Sequence, residues 1–196
     1  MDRVKRIING VYQVQVTPNL TFNDVPLTLV PAYPDLPMEE VYPREPHTDI
    51  PQVYLREVGD GRIVYFPWDI DRTFWEVMSL DHGLLLRNAI KWATNSPSVA
   101  EVEGPGVIDV NVWRHPNAIT VHMVNLTNPM MMKGPMRELM SPGEQKVHIQ
   151  LPTDSQLREV KLLKLDMIPV YERNGNVLTV TVPSILDHEV IALDFA

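Results

Sequence analysis

Apolar and polar residues alternate over residues 11–16 (VYQVQV), the period-two pattern of a strand with one buried face, and residues 27–30 (LTLV) read as a second strand. Pro31, Pro34, Pro37, Pro43, Pro46 and Pro51 follow at a spacing that excludes helix and strips donors from any sheet, so an extended surface loop is predicted there. Residues 53–58 (VYLREV) and 62–66 (RIVYF) flank a Gly59-Asp60-Gly61 turn and predict a hairpin. After Pro67 the period becomes helical. Asp69 or Asp71 can cap a first helix carrying Phe74, Trp75 and Met78. Asp81 can cap a longer one, in which Leu84, Leu85, Ala89, Trp92 and Ala93 form a single apolar stripe.

Ser96-Pro97-Ser98 marks a boundary, because strands alone are predicted beyond it. Residues 107–114 and 118–126 alternate on either side of His115-Pro116-Asn117. Further strands are read at 146–151, 158–165, 168–171, 177–183 and 189–195, with a hairpin turn at Asn174-Gly175-Asn176. So many short strands without a helix predict a β-sandwich over residues 98–196. Residues 1–97 offer too few strands and helices to wrap both faces of a doubly wound sheet, and read as part of a larger α/β domain.

Charge narrows the range of partners. The net charge of −8 is shared by both halves and no Lys/Arg cluster stands out, which argues against nucleic acid and anionic lipid. The absence of cysteine excludes disulfides, thiolate nucleophiles and cysteine-based zinc sites and agrees with a cytoplasmic location. No apolar run reaches the roughly 18 residues of a membrane span. The six histidines show neither HxH nor HExxH spacing, GxSxG and phosphate-cradling glycine motifs are missing, and no cofactor or metal is called for.

The densest polar stretch on a structured scaffold is PWDIDRTFW, residues 67–75, at a strand-to-helix junction. Trp68 has the shape to stack on a sugar while Asp69, Asp71 and Arg72 bond its hydroxyls, which makes these four the candidate ligand-binding residues. The plainer account is helix capping and an Asp–Arg pair. Two carboxylates two residues apart are a weak glycosidase signal, since a retaining pair stands about 5–5.5 Å apart across the scissile bond on a rigid scaffold. No catalytic residue is therefore assigned. Met130, Met131 and Met132 supply three adaptable thioethers in a loop, suited either to an interface or to covering this chain's own core.

The run GRIVYFPWDIDRTFWEVMSLDHGLLLRNAIKWA, residues 61–93, resembles the closing segment of the beta-galactosidase trimerisation domain, a flavodoxin- or glutamine-amidotransferase-like module that follows the catalytic barrel of certain glycoside hydrolases. VNLTNPMMMKGPMRE, residues 124–138, and VTVPSILDHEVIALDF, residues 180–195, resemble the small β-domain that ends such proteins. The resemblance implies an α+β chain: a truncated flavodoxin- or amidotransferase-like α/β segment followed by an antiparallel β-sandwich. It further implies a non-catalytic assembly or interaction region of a beta-galactosidase-like or fucosidase-like hydrolase, whose partner is a second copy or the missing catalytic domain. The barrel carboxylates of such enzymes have no counterpart here, and a fragment or split gene product is expected. A carbohydrate-binding sandwich and a small stand-alone glycosidase are the alternatives. The first requires aromatics on one sheet face, for which the sandwich offers Trp113, Tyr171 and Phe195.

Overall fold

The computed structural model describes residues 4–19, 25–31, 37, 47–128 and 138–196. They fall into two compact units, Met1–Ser96 and Pro97–Ala196.

In the N-terminal unit, β1 (Tyr54–Val58) and β2 (Gly61–Tyr65) pair antiparallel, with Val58 opposite Gly61. The turn is therefore the two residues Gly59-Asp60, and Gly59 takes the left-handed φ of 57° that a tight hairpin requires. Helix α1 (Ile70–Val77) ends where Met78 turns left-handed and returns its N–H to the Phe74 carbonyl. Ser79 is extended, and α2 (Leu80–Thr94) then runs to a left-handed Asn95. This second helix packs against β2 and α1. Residues 11–16 do not form the predicted strand. A single bridge joins Gln13 to Trp68, and Val11, Tyr12 and Val14 stay 60–75% exposed because no sheet face receives their apolar side.

The expected α+β chain with a flavodoxin- or amidotransferase-like α/β segment is overturned. Such a segment needs parallel strands linked by helical crossovers. Every strand pair among the described residues is antiparallel, the two-residue turn after Val58 leaves no room for a crossover, and α1 runs into α2 without an intervening strand. The described chain is β-rich, with ten strands in three sheets and two helices of 8 and 15 residues.

The C-terminal unit holds β3 (Ala100–Glu103), β4 (Ile108–His115), β5 (Ala118–Asn125), β6 (Gln145–Gln150), β7 (Leu157–Leu162), β8 (Val170–Asn174), β9 (Val177–Val182) and β10 (His188–Phe195). They form two four-stranded sheets, ordered β4-β5-β10-β7 and β3-β6-β9-β8. Alternate residues turn inward. Val121 and Met123 of β5 and Ile191 and Leu193 of β10 meet Val147, Ile149, Leu178 and Val180 of the other sheet in one core cluster, all 0% exposed. This is sandwich packing, a dry layer between two inner faces.

Two buried polar side chains staple its loops. Asn125 Nδ2 donates to the carbonyls of Met140, Ile185 and Leu186, and its Oδ1 accepts Thr127 N–H. Glu189, 1% exposed, accepts Lys164 N–H and Val190 N–H at Oε1 and Leu165 N–H at Oε2, closing the turn after β7. On the surface Lys164 Nζ donates to both oxygens of Asp187. That bond, then one from the His188 backbone, holds the Asp187 carboxyl below its ordinary range. A carboxyl lowered by folding contributes stability above its unfolded value, near pH 4, and loses it as the pH falls through the folded value. Between about pH 5 and pH 3 the urea midpoint of the wild-type chain is therefore expected to fall more steeply than that of Lys164→Met, by a small margin because solvent screens the pair.

The units differ in how completely they are packed. Among the described residues, the buried hydrophobics of the N-terminal unit are Val53, Tyr54, Trp68 and Ile70, and the remaining fourteen all lie in the sandwich. Ile63, Trp75, Leu80 and Ile90 are each more than half exposed.

Candidate functional site

The stretch after β2 is where the N-terminal unit concentrates its polar chemistry. Pro67 ends the hairpin and the chain passes through Trp68 and Asp69 into α1. Trp68 is 6% exposed, and its Nε1–H donates to the Gln52 carbonyl at 2.9 Å. Edge contacts to Phe66 and His82 flank the ring, with centroids 6.3 and 6.1 Å away. Asp69 occupies the N-cap position of α1, yet its carboxylate makes no cap bond. Oδ1 instead accepts Tyr12 N–H at 3.1 Å. Asp71 lies in the first turn of α1, where the helix dipole favours an acid. Arg72 pairs with Glu76 at 2.8 Å one turn along and stands over the Tyr12 ring at 5.0 Å. The Glu76 bond, followed by Tyr12, pushes the guanidinium further above its ordinary value.

Trp68, Asp69 and Arg72 thus each contact the chain itself, and Asp71 is exposed. Residues 8–14 run across the junction as a strap. Ile8 O meets His82 Nε2 at 2.8 Å, Asp69 N–H donates to Tyr12 O at 3.2 Å, and Val14 N–H donates to Pro67 O at 2.7 Å. Gly10 fits because it lacks a side chain: a Cβ there would stand 1.8 Å from Asp69 Oδ1. Gly10→Ala is accordingly expected to displace the strap at a cost of about 1–3 kcal/mol in local opening. The checks are a red shift of the buried Trp68 emission and faster amide exchange at Val14 and Asp69.

Sequence reading missed the residues that complete this junction: Gly10, Tyr12, Gln52 and His82. No local signal marks them, since the Tyr12–Asp69 and Ile8–His82 contacts span 57 and 74 residues. Met130, Met131 and Met132 lie outside the described residues.

Three hollows surround the unit's polar elements. A cavity of about 260 Å³ adjoins Trp68, with Gln52 in its wall and Lys5, Arg6 and Asn9 along its lining. An open hollow of about 540 Å³ runs beside residues 13–16 and 49–51, with Asp49 as the one carboxylate among the described residues of its lining. An apolar groove of about 400 Å³ lies between β2 and α2, lined by Ile63, Phe66, Leu86 and Ile90. Among the described residues that line them, none of the three presents two facing carboxylates, and Asp69 and Asp71 line none of them. Among the described residues no cluster of three or more His, Asp or Glu side chains is placed to hold a metal ion. No helix of the described residues is long and apolar enough to cross a membrane.

On the sandwich the three aromatics do not share a face. Trp113, 61% exposed, stands on β4, Tyr171 on β8 of the opposite sheet, and Phe195 packs against the core.

No family model matches the chain, and no curated protein matches it in sequence. Among solved structures it is similar to alpha-L-fucosidase isoenzyme 2 from Paenibacillus thiaminolyticus, with a TM-score of 0.57 and 14% sequence identity over 75% of this chain. The likeness spans 22% of the fucosidase chain. At that identity it speaks for the fold alone: the matched part of this chain shares its fold with a part of that fucosidase.

Proposed function

We propose that this chain is a non-catalytic assembly region of a glycoside hydrolase, in which the sandwich is a self-sufficient support and the N-terminal unit a surface that packs against the catalytic part of the enzyme. The observation that carries this reading is the contrast in packing. Among the described residues, fourteen buried hydrophobic side chains fill the sandwich, which leaves eleven large hydrophobics exposed, whereas the N-terminal unit buries four and leaves thirteen exposed, Val11, Tyr12, Trp75 and Leu80 among them. A two-stranded sheet is marginal in water unless further strands or helices cover it. Among the described residues the unit has one helix against β2 and an open apolar groove beside it. Large apolar exposure of this kind marks a protein–protein contact. The fucosidase supports the assignment of class, because the matched shape accounts for 22% of a longer chain.

The test is an assay of the purified chain against p-nitrophenyl α-L-fucoside and β-galactoside, with light scattering on the same sample. The expected result is hydrolysis at the blank rate. Turnover that is lost in Asp69→Ala would contradict the reading and revive the stand-alone glycosidase. A stable homo-oligomer that buries the β2–α2 groove would replace the catalytic part by a second copy as the partner.

A further inference from the structure

The outer face of the β4-β5-β10-β7 sheet has features that its packing does not explain. On β4 the alternation that sends Val110 and Val112 to the core sends Asn111, Trp113 and His115 outward, and on β5 Ile119 and Val121 are buried while Thr120 and His122 point out. Register places Thr120 opposite Trp113 and His122 opposite Asn111. Trp113 is 61% exposed, although an indole is among the side chains that gain most from burial. Thr120 and, on the next strand, Ala192 are small, so the sheet raises no bulky side chain beside the ring on that side. The chemistry around the ring is also distinct. Asn111, His115, Thr120 and His122 bring neither carboxylate, ammonium nor guanidinium, and Arg114 alternates to the other face. By contrast the outer face of the other sheet bears Glu101, Glu103, Lys146 and Glu172, as a solvated surface does. The polar groups beside Trp113 are held in place: Thr120 Oγ1 and His122 Nε2 lie 3.1 Å apart, and Asn111 Nδ2 donates to Asp109 Oδ2 at 3.2 Å.

We propose that this face binds one neutral pyranose unit, the end residue of a glycan, with its C–H face on the Trp113 ring and its hydroxyls bonded to Asn111 and His122. The indole face is the negative side of the ring quadrupole and attracts the weakly positive C–H groups of a sugar. A hydroxyl both donates and accepts, and so do an amide and a neutral imidazole, whereas a charged side chain does only one of the two. One ring holds one sugar unit, so Tyr171 and Phe195, which lie elsewhere on the sandwich, are not required. An acid-bearing ligand finds no cation beside the ring: Lys161, on β7 of the same sheet, is paired with Asp166. The site is independent of the assembly reading, since binding here requires neither turnover nor a partner.

The experiment follows the Trp113 indole N–H and the His122 amide in proton–nitrogen correlation spectra of the full chain. The probes are methyl β-D-galactopyranoside, methyl β-D-glucopyranoside and methyl α-L-fucopyranoside, with D-mannitol as an acyclic polyol that lacks a ring face. Saturable shifts with a dissociation constant in the millimolar range are expected for at least one glycoside, with mannitol weaker by about tenfold or more. Added salt is expected to leave the constant unchanged, because no charge is paired. Trp113→Leu, at an exposed position outside the core, is expected to weaken that glycoside by about tenfold or more, and Asn111→Ala by about threefold to fivefold. Absence of a saturable shift with every glycoside up to about 0.1 M, equal binding of mannitol, or binding that survives Trp113→Leu would each overturn the proposal. So would a stable oligomer in light scattering that Trp113→Leu dissociates, since a second copy would then cover the ring.

Discussion

Glu189→Ala is expected to lower the stability of the sandwich by about 2–4 kcal/mol, because it removes the carboxylate that closes the turn after β7. Three backbone N–H groups, those of Lys164, Leu165 and Val190, lose their acceptor at a site that is 1% exposed. For a unit of this size each kcal/mol moves the melting midpoint by about 4–8 °C, so a drop on the order of 10–20 °C is expected. Glu189→Gln retains one acceptor oxygen but sets an amide donor against a backbone donor, and its loss should be intermediate. Guanidinium denaturation followed by far-ultraviolet circular dichroism measures both. A Glu189→Ala midpoint within error of the wild type would mean that the turn is held by something other than this side chain.

Leu193→Ala should cost as much or more, about 2–5 kcal/mol, through lost burial and the cavity that remains. Leu193 is 0% exposed on β10, the strand between β5 and β7, and it faces the shared core of both sheets. The matched truncation in the N-terminal unit, Ile70→Ala, removes a side chain that is also buried, at 3% exposure. Among the described residues of that unit three other hydrophobics are buried, so the surroundings hold less apolar contact to lose and a smaller cost is expected. Paired denaturation curves of the two variants measure the difference.

The sandwich was legible because its signal is local. Alternation over residues 118–126 and 177–183 matches the inward rows of β5 and β9 in the structure, and Asn174-Gly175-Asn176 corresponds to the two-residue turn at Gly175, with φ 59°. Strand β3 was missed, since its four residues, AEVE, offer one clear apolar position inward. In the N-terminal unit the hairpin and both helices were readable from turn chemistry and helical spacing. The order of the helices argues against a parallel sheet: α1 followed by α2 without a strand between them cannot build its crossovers.

The junction around Trp68 was located by its composition, whereas the contacts that build it were not. A tryptophan beside two aspartates and an arginine has the same local sequence whether it faces a sugar or the chain's own strap. What separates the two is a contact from residues 8–14, more than fifty positions away, which no periodicity reports. Gly10 is the one sequence mark of that closeness, and a lone glycine after an asparagine reads as an ordinary turn.

The central claim, that one unit is closed and the other waits for a partner, is tested most directly by native-state hydrogen exchange of the full chain followed by mass spectrometry. Amides of β5, β6, β9 and β10 are predicted to exchange only through global opening of the sandwich, while those of β1, β2 and α2 exchange faster by about a hundredfold or more, through openings that cost at least 2–3 kcal/mol less. Equal protection across both units would contradict the account, since it would mean that the N-terminal unit needs nothing further to hold its fold.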